Sequence, residues 1–212
     1  MSILGPSSLK GESFMKLSSL FGSIALVAAL GGMALAQDKS GLKDWAGEYV
    51  SADAFLSAPQ ADEFCQKVVD EAKKAGKDVT ADQVKENVGG QFESQFKSAL
   101  IDESGITFEI KEDGQSIHVD YEFKGAVSAA DGTKWYAFDA KEAPADSKLS
   151  HVILSDLSGD PEQLQIRCGE GSAAELADNP GAAWCSVLFH KDLAPADFLS
   201  KLDPAAVAEK ME

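Results

Sequence analysis

The stretch SHVILSDLSGDPEQLQIRCGEG, residues 150–171, predicts two β-strands joined by a tight loop. The first strand is His151–Asp156, whose centre is β-branched and aliphatic. Ser158-Gly159-Asp160-Pro161 supplies the loop, since glycine tolerates positive φ and proline cannot donate a hydrogen bond to a β-ladder. Apolar and polar residues then alternate through Glu162–Cys168, which indicates a strand with one buried face.

The two faces of this second strand carry different chemistry. The apolar face carries Leu164, Ile166 and Cys168, and the polar face carries Gln163, Gln165 and Arg167. Polar groups at such positions can line a ligand pocket, or they can simply face solvent while the apolar face covers the core. The alternation alone leaves both interpretations open.

A second motif, LKDWAGEYVS at residues 42–51, is typical of a small barrel. Trp45, Gly47 and Tyr49 alternate, which predicts that they share one face of the first strand. A tryptophan beside a glycine can close one end of a barrel, because the indole fills the opening while glycine lets a neighbouring backbone approach. We expect Trp45 to act in this structural way.

The middle of the chain has a sequence pattern that is typical of β-hairpins. The turns Asp113-Gly114 and Asp131-Gly132 separate segments that alternate in polarity. These segments are 106–111, 116–124 and 134–140. With the strand of Trp45 and the hairpin at 150–171 they make at least six strands, and Trp184–His190 is a further strand or a loop. We therefore predict a β-rich α+β fold, an antiparallel lipocalin-like (calycin-type) barrel with a helical cap inserted after the first strand.

The helical insertion spans residues 52–100. Thr80 and Gln83 form a capping box that begins its second helix. Apolar residues then recur at helical spacing and predict one buried stripe that runs toward Leu100. The stripe consists of Val84, Val88, Phe92, Phe96 and Ala99. Gly89-Gly90 should weaken or kink this helix, and two short helices are predicted near the C-terminus, over 194–212.

Both motifs resemble the ZinT family of periplasmic zinc-binding proteins. The family opens with Asp-Trp-x-Gly-x-aromatic-x-Ser, which is matched here by residues 44–51. Its later Ser-Asp-His and His-x-His segments correspond here to Ser155-Asp156-Leu157 and Gln163-Leu164-Gln165. The resemblance implies a barrel with inserted helices across its mouth as a lid. It also implies zinc or another divalent ion as cofactor and a periplasmic metal-import system as partner.

The departures from the family pattern fall on its three histidines. Leu157 cannot bind a metal, and Gln163 and Gln165 offer amide oxygens where imidazole nitrogens are required. We therefore predict a degenerate metal site. Any remaining weak binding would come from Asp156, Asp160 and His151.

The alternative is a lipocalin-like barrel without metal that binds a small organic ligand or a protein partner. Its pocket groups would be Gln163, Gln165 and Arg167. Neither a serine-hydrolase motif nor a zinc-protease motif occurs, and no nucleophile lies beside a plausible base. We therefore predict that the protein is not an enzyme.

Residues 15–36 predict a secretory signal that directs the protein to the periplasm. Lys16 supplies the positive start, residues 20–30 are an apolar run, and Ala34-Leu35-Ala36 fits a cleavage site. The apolar run is too short to span a bilayer, which needs about 20 residues. We interpret residues 1–14 as an upstream extension, and we expect residues 1–36 to be removed and 37–212 to form a single domain.

The net charge of the chain limits the kinds of partner that it can bind. The net charge is −16. Removal of residues 1–36 takes away Lys10, Lys16 and Glu12, which leaves −17. Such an acidic protein repels nucleic acid and anionic lipid, so neither is expected as a partner.

Three cysteines occur, at positions 65, 168 and 185. An odd number in an exported protein usually indicates one disulfide and one free thiol. Cys168 and Cys185 flank the same excursion of 16 residues, whereas Cys65 lies in the helical insertion. We therefore predict a Cys168–Cys185 disulfide.

Overall fold

Short alternating segments of this chain form strands that close into an antiparallel barrel. The computed structural model describes residues 39–179, 181 and 183–211, and the signal segment predicted for residues 1–36 lies outside them. The strands are β1 (Gly47–Ser51), β2 (Phe96–Ile101), β3 (Gly105–Ile110), β4 (Ser116–Ser128), β5 (Lys134–Ala140), β6 (His151–Ser155), β7 (Gln163–Gly169) and β8 (Trp184–His190). The helices are α1 (Ala52–Leu56), α2 (Gln60–Lys74), α3 (Ala81–Gln91), α4 (Ala173–Asp178), α5 (Pro195–Ser200) and α6 (Pro204–Lys210).

The barrel has simple neighbour-to-neighbour topology. Each of the eight strands in the described residues pairs with the next in sequence, and β8 pairs with β1 to close the sheet. The predicted lipocalin-like barrel is therefore confirmed. The segment 184–190, predicted as a strand or a loop, is a strand. None of the helices in the described residues is long and apolar enough to cross a membrane.

The barrel interior is filled by side chains. Alternate residues of every strand point inward, as the strand period requires. Leu164, Ile166 and Cys168 of β7 are fully buried there, as the alternation predicted. The largest interior side chains are Trp45, Tyr49, Phe96, Phe108, Tyr121, Tyr136 and Phe138. A small barrel filled in this way has a packed core in place of a ligand chamber.

Trp45 lies just before β1, in a short 3₁₀ turn at Leu42–Trp45. It is 1% exposed and still points into the barrel. Its indole Nε1 donates to the Ser155 carbonyl oxygen at 2.8 Å. Trp45 therefore closes one end of the barrel as expected, although it precedes the strand on which it was predicted to lie.

The helices cover the side of the barrel. Val50 of β1 and Val187 and Phe189 of β8 point outward, because their sequence neighbours Tyr49 and Leu188 point inward. Helices α1, α2, α3, α5 and α6 pack on this apolar outer wall. The insertion after the first strand is confirmed. Its expected position across the barrel mouth is wrong, since the apolar surface that it buries is on the wall.

Helix α3 is shorter than predicted. It begins at the expected capping box, in which the Thr80 and Gln83 side chains each bind the other's backbone N–H. It ends at Gln91, and Phe96–Ile101 is β2. The predicted stripe is divided between two cores: Phe92 packs with the helices, whereas Phe96 points into the barrel.

The predicted Cys168–Cys185 disulfide is absent, since both thiols are free. Cys168 lies opposite Trp184 in the β7–β8 register, whereas Cys185 lies opposite Arg167. The two side chains therefore point to opposite faces of the sheet, a geometry that no disulfide can bridge. Burial raises the pKa of the Cys168 thiol well above its usual value, so it behaves as a core residue.

Helix α6 is held at its C-terminal end by Lys77, which follows α2. The Lys77 ammonium donates to the carbonyl oxygens of Ala208, Glu209 and Met211, at 3.2 Å and 2.7 Å for the first two. The Ala208 carbonyl also accepts from the Met211 N–H at 3.3 Å. Carbonyls in the last turn of a helix lack the usual i+4 N–H partner, so a cation at this end supplies donors and interacts favourably with the helix dipole.

Replacing Lys77 by methionine is expected to lower the free energy of unfolding by about 1–2 kcal/mol, because charged hydrogen bonds are lost at a partly buried site. Urea denaturation measures the change. Lys67→Met is the control, because among the described residues its ammonium forms an ion pair only with exposed Glu63 on the surface of α2. Equal losses in the two variants would show that Lys77 does not hold α6.

Candidate functional site

Most of the predicted site residues lie around the loop between β6 and β7, whereas His151 begins β6 at the opposite end of the barrel. This loop is at the end of the barrel that Trp45 closes, which we call the Trp45 end. Ser158 and Gln163 exchange backbone hydrogen bonds of 2.8 and 3.2 Å across it. Gly159 has φ +92°, a left-handed conformation that favours glycine. The loop therefore brings Leu157 next to the start of β7.

The three positions that match the family's histidines lie around one loop, but their side chains point in different directions. Leu157 is half-buried and packs against the barrel core. Gln163 and Gln165 are half-buried on the outer face of β7, because Leu164 between them points inward. The two amides therefore do not line the barrel interior.

Asp156, beside Leu157, already has a cation as partner. The Lys39 ammonium lies 2.8 Å from its Oδ1, and the Lys39 side chain is only 19% exposed. The same ammonium lies 3.9 Å from the centroid of the Trp45 ring. Lys39 thus neutralises the carboxylate nearest to Leu157 and covers the indole that closes this end.

The remaining weak candidates have partners of their own. His151 Nδ1 lies 2.7 Å from Asp139 Oδ1. Asp160 forms an ion pair of 2.8 Å with Lys201. Within the described residues, no group of three His, Cys, Asp or Glu side chains is placed to hold a metal ion. His151 and Asp139 pair at the start of β6, at the opposite end of that strand from Asp156 and Asp160, so these candidates do not converge.

A cleft of about 340 Å³ lies between the β6–β7 loop and α5. Asp160, Glu162 and His190 line it. The His190 ring stacks on Tyr49 with ring centroids 4.5 Å apart. Burial, aided by the negative charge of Glu162, raises the pKa of Tyr49 to about 12, so this phenol stays neutral at ordinary pH.

Arg167 holds helix α4 against the barrel. Its Nη1 donates to the carbonyl oxygens of Leu176 and Ala177 at 2.9 and 2.6 Å, near the C-terminal end of α4. The guanidinium also lies 4.3 Å from the centroid of the Trp135 ring, and burial lowers its pKa. The structure therefore places Arg167 in a helix-capping role on the outer wall.

Two of these arrangements have no signal in any local sequence pattern. Lys39 and Asp156 are far apart in the chain, so only the closed barrel brings them together. The β5–β6 loop likewise brings Lys148 over Trp184, with 4.7 Å from its Nζ to the ring centroid. Both contacts depend on the register of distant strands, which no local pattern encodes.

No family model matches the chain, and no curated protein matches it. Solved structures do. The Zn(II)-bound ZinT-like domain of Streptococcus pneumoniae AdcA is 21% identical, with 81% of this chain and 94% of that domain covered and a TM-score of 0.50. The Zn(II)-bound AdcA of the same organism is 20% identical, with 81% of this chain covered and a TM-score of 0.49, and this chain spans 37% of its length. The chain therefore has a ZinT-like fold.

Proposed function

We propose that the protein is an exported ZinT-like binding protein with an accessory role in metal acquisition, and that its metal site is degenerate. The observation that carries this is the β6–β7 hairpin of the ZinT-like barrel, which has Leu157, Gln163 and Gln165 where the resembled family has histidines. Zinc then contacts the protein only weakly, through carboxylates near the Trp45 end. No step of covalent chemistry is required of such a protein, so we propose a non-enzymatic role.

Export and the partner are part of the same proposal. The signal segment predicted at residues 15–36 supports a protein that works outside the cytoplasm. The structural neighbour at a TM-score of 0.50, the ZinT-like domain of AdcA, is Zn(II)-bound. By analogy of fold alone, the partner class is a periplasmic metal-import system.

A small organic ligand inside the barrel is less well supported. The interior positions are occupied by large aromatic and aliphatic side chains. Gln163 and Gln165, the amides of that hypothesis, face the outer side of β7. A ligand would therefore have to bind outside the core.

A zinc titration against a competing chelator tests the weakened site. The wild type is expected to bind zinc no tighter than about 1 µM. The variant Leu157→His, Gln163→His, Gln165→His is expected to bind at least about tenfold more tightly, because imidazoles replace groups that ligate zinc poorly.

The control places a His-x-His pair on another outer face, with Ser98→His and Leu100→His on β2. A gain there equal to that of the triple variant would show that any paired histidines suffice. Nanomolar binding by the wild type would show that other residues form a complete site and that the proposed degeneracy is wrong.

A further inference from the structure

Three side chains at the Trp45 end surround one ammonium group. The rings of Trp45 and Tyr136 meet close to edge to face, with centroids 4.9 Å apart and an interplanar angle of 67°, so they form two adjoining walls. The Lys39 ammonium lies 3.9 Å from the first centroid and 5.2 Å from the second. The carboxylate of Asp156 completes the surround, with Oδ1 at 2.8 Å from the Lys39 Nζ. We call Trp45, Tyr136 and Asp156 the ammonium cage.

The walls of the ammonium cage are held by contacts that do not involve Lys39. The Trp45 Nε1 donates to the Ser155 carbonyl oxygen at 2.8 Å. The Tyr136 hydroxyl donates to Asp156 Oδ2 at 3.4 Å, which leaves Oδ1 for the ammonium. Both rings are almost fully buried. Because these groups are fixed in advance, little conformational freedom is lost when a cation binds between them.

The lysine that fills the cage is on a short arm, residues 39–40, that belongs to no helix or strand. Within the described part of the chain, the one other polar contact of this arm is from the Ser40 N–H to Asp44 Oδ2 at 2.7 Å. The signal cleavage predicted from the sequence would make Lys39 the third residue of the mature chain. The arm can therefore leave the cage without breaking any strand pairing of the barrel.

We propose that the ammonium cage is a binding site for a small molecule with a primary alkylammonium group, and that Lys39 is its tethered competitor. The ammonium of the ligand takes the place of the Lys39 Nζ, and its alkyl chain takes the place of the lysine stem. This inference goes beyond the proposed metal role and does not rest on it.

The chemistry of the cage favours an alkylammonium over a metal ion. Aromatic faces attract a cation through the ring quadrupole but offer no lone pair to a metal, and Asp156 alone is far from a zinc ligand set. A carboxylate oxygen at hydrogen-bond distance from the nitrogen favours an ammonium that keeps its N–H groups. Lys134 also lies over the Tyr136 ring, at 4.9 Å, so the indole and the carboxylate supply most of the attraction.

The tether explains how Lys39 limits access to the cage. Its side chain is only 19% exposed, so the stem as well as the ammonium fills the site. A group attached to the same chain competes at an effective concentration of about millimolar or more. Lys39→Ala removes the side-chain atoms beyond Cβ and opens a space that n-propylammonium reproduces.

The probe is n-propylammonium, with its neutral isostere 1-propanol as the ligand control. Titrations of the chain that begins at Gln37 are followed by the Trp45 indole N–H signal in ¹H–¹⁵N NMR spectra, and Trp45→Phe identifies that signal by its loss. Lys39→Ala is expected to bind n-propylammonium at least about tenfold more tightly than the wild type, in which the same signal shifts only at higher concentration. Lys39→Met is expected not to bind, because its uncharged stem still fills the cage.

Lys43→Ala removes the same charge from an exposed position in the adjoining 3₁₀ turn, and its affinity is expected to equal that of the wild type. Asp156→Asn in the Lys39→Ala chain is expected to weaken binding by about tenfold, because the charged hydrogen bond is lost. Equal shifts with 1-propanol, equal tightening in Lys43→Ala, or no Trp45 shift in either Lys39→Ala or the wild type would overturn the proposal. Zinc chloride that moves the Trp45 signal of Lys39→Ala at lower concentration than n-propylammonium would assign the cage to a metal and also overturn it.

Discussion

Replacing Trp45 by alanine is expected to lower the free energy of unfolding by about 4–5 kcal/mol, because it removes the largest side chain of a filled core. The indole is 1% exposed and makes edge contacts with Tyr136 and Phe138, with ring centroids 4.9 and 5.8 Å apart. Its removal leaves a cavity at the Trp45 end that the closed sheet cannot collapse to fill. Chemical denaturation followed by circular dichroism measures the loss.

Substitution of Trp45 by phenylalanine separates the contribution of its hydrogen bond to stability from the contribution of its packing. Trp45 and Trp135 are both 1% exposed. The Trp45 Nε1 donates to the Ser155 carbonyl, whereas the Trp135 Nε1 has no partner among the described residues. Trp45→Phe is therefore expected to cost about 1 kcal/mol more than Trp135→Phe. A loss of under about 2 kcal/mol for Trp45→Ala would show that the indole is not the plug of this end.

The barrel could be predicted from sequence because strand alternation is a local property. On β7, Leu164 and Ile166 are inside while Gln163 and Gln165 are outside, as their spacing indicates. The turns at Gly114 and Gly132 likewise fall between strands, and both glycines have positive φ. Each of these features depends only on residues a few positions apart.

The end of α3 could not be predicted in the same way. Val84, Val88, Phe92 and Phe96 are evenly spaced at four residues, which fits one helical stripe. In the fold, Phe92 packs among the helices and Phe96 inside the barrel, so the stripe serves two cores. Tertiary packing overrides the periodicity at this point, and Gly89-Gly90 weakens the helix just before it ends.

The sequence motif predicted the position of the candidate site, but it did not predict which distant side chains contact the residues there. The hairpin places Ser158, the neighbour of Leu157, opposite Gln163, as the order of residues implies. The Lys39–Asp156 ion pair and the position of Lys148 over Trp184 arise only when the barrel closes. The disulfide prediction failed for a related reason, since the direction of a side chain on β7 or β8 depends on their register.

Gly105 is a position where the closed sheet leaves no room for a side chain. It begins β3 opposite Asp120, and a Cβ there would lie 2.4 Å from the Val119 carbonyl oxygen and 2.9 Å from His118 Cε1. The carbonyl belongs to the backbone of β4, so it can move only if the pairing of β3 with β4 is disturbed. The clash therefore affects the ladder itself.

Gly105→Ala is expected to lower the free energy of unfolding by about 3 kcal/mol, at the upper end for an overpacked site. Gly90→Ala is the control, because nothing lies within 4 Å of a Cβ at that position in α3. Alanine there is expected to stabilise the protein by about 0.5–1 kcal/mol, since glycine is unfavourable inside a helix. Urea denaturation of both variants should give changes of opposite sign. Equal stability of Gly105→Ala and the wild type would show that β3 and β4 do not approach each other this closely.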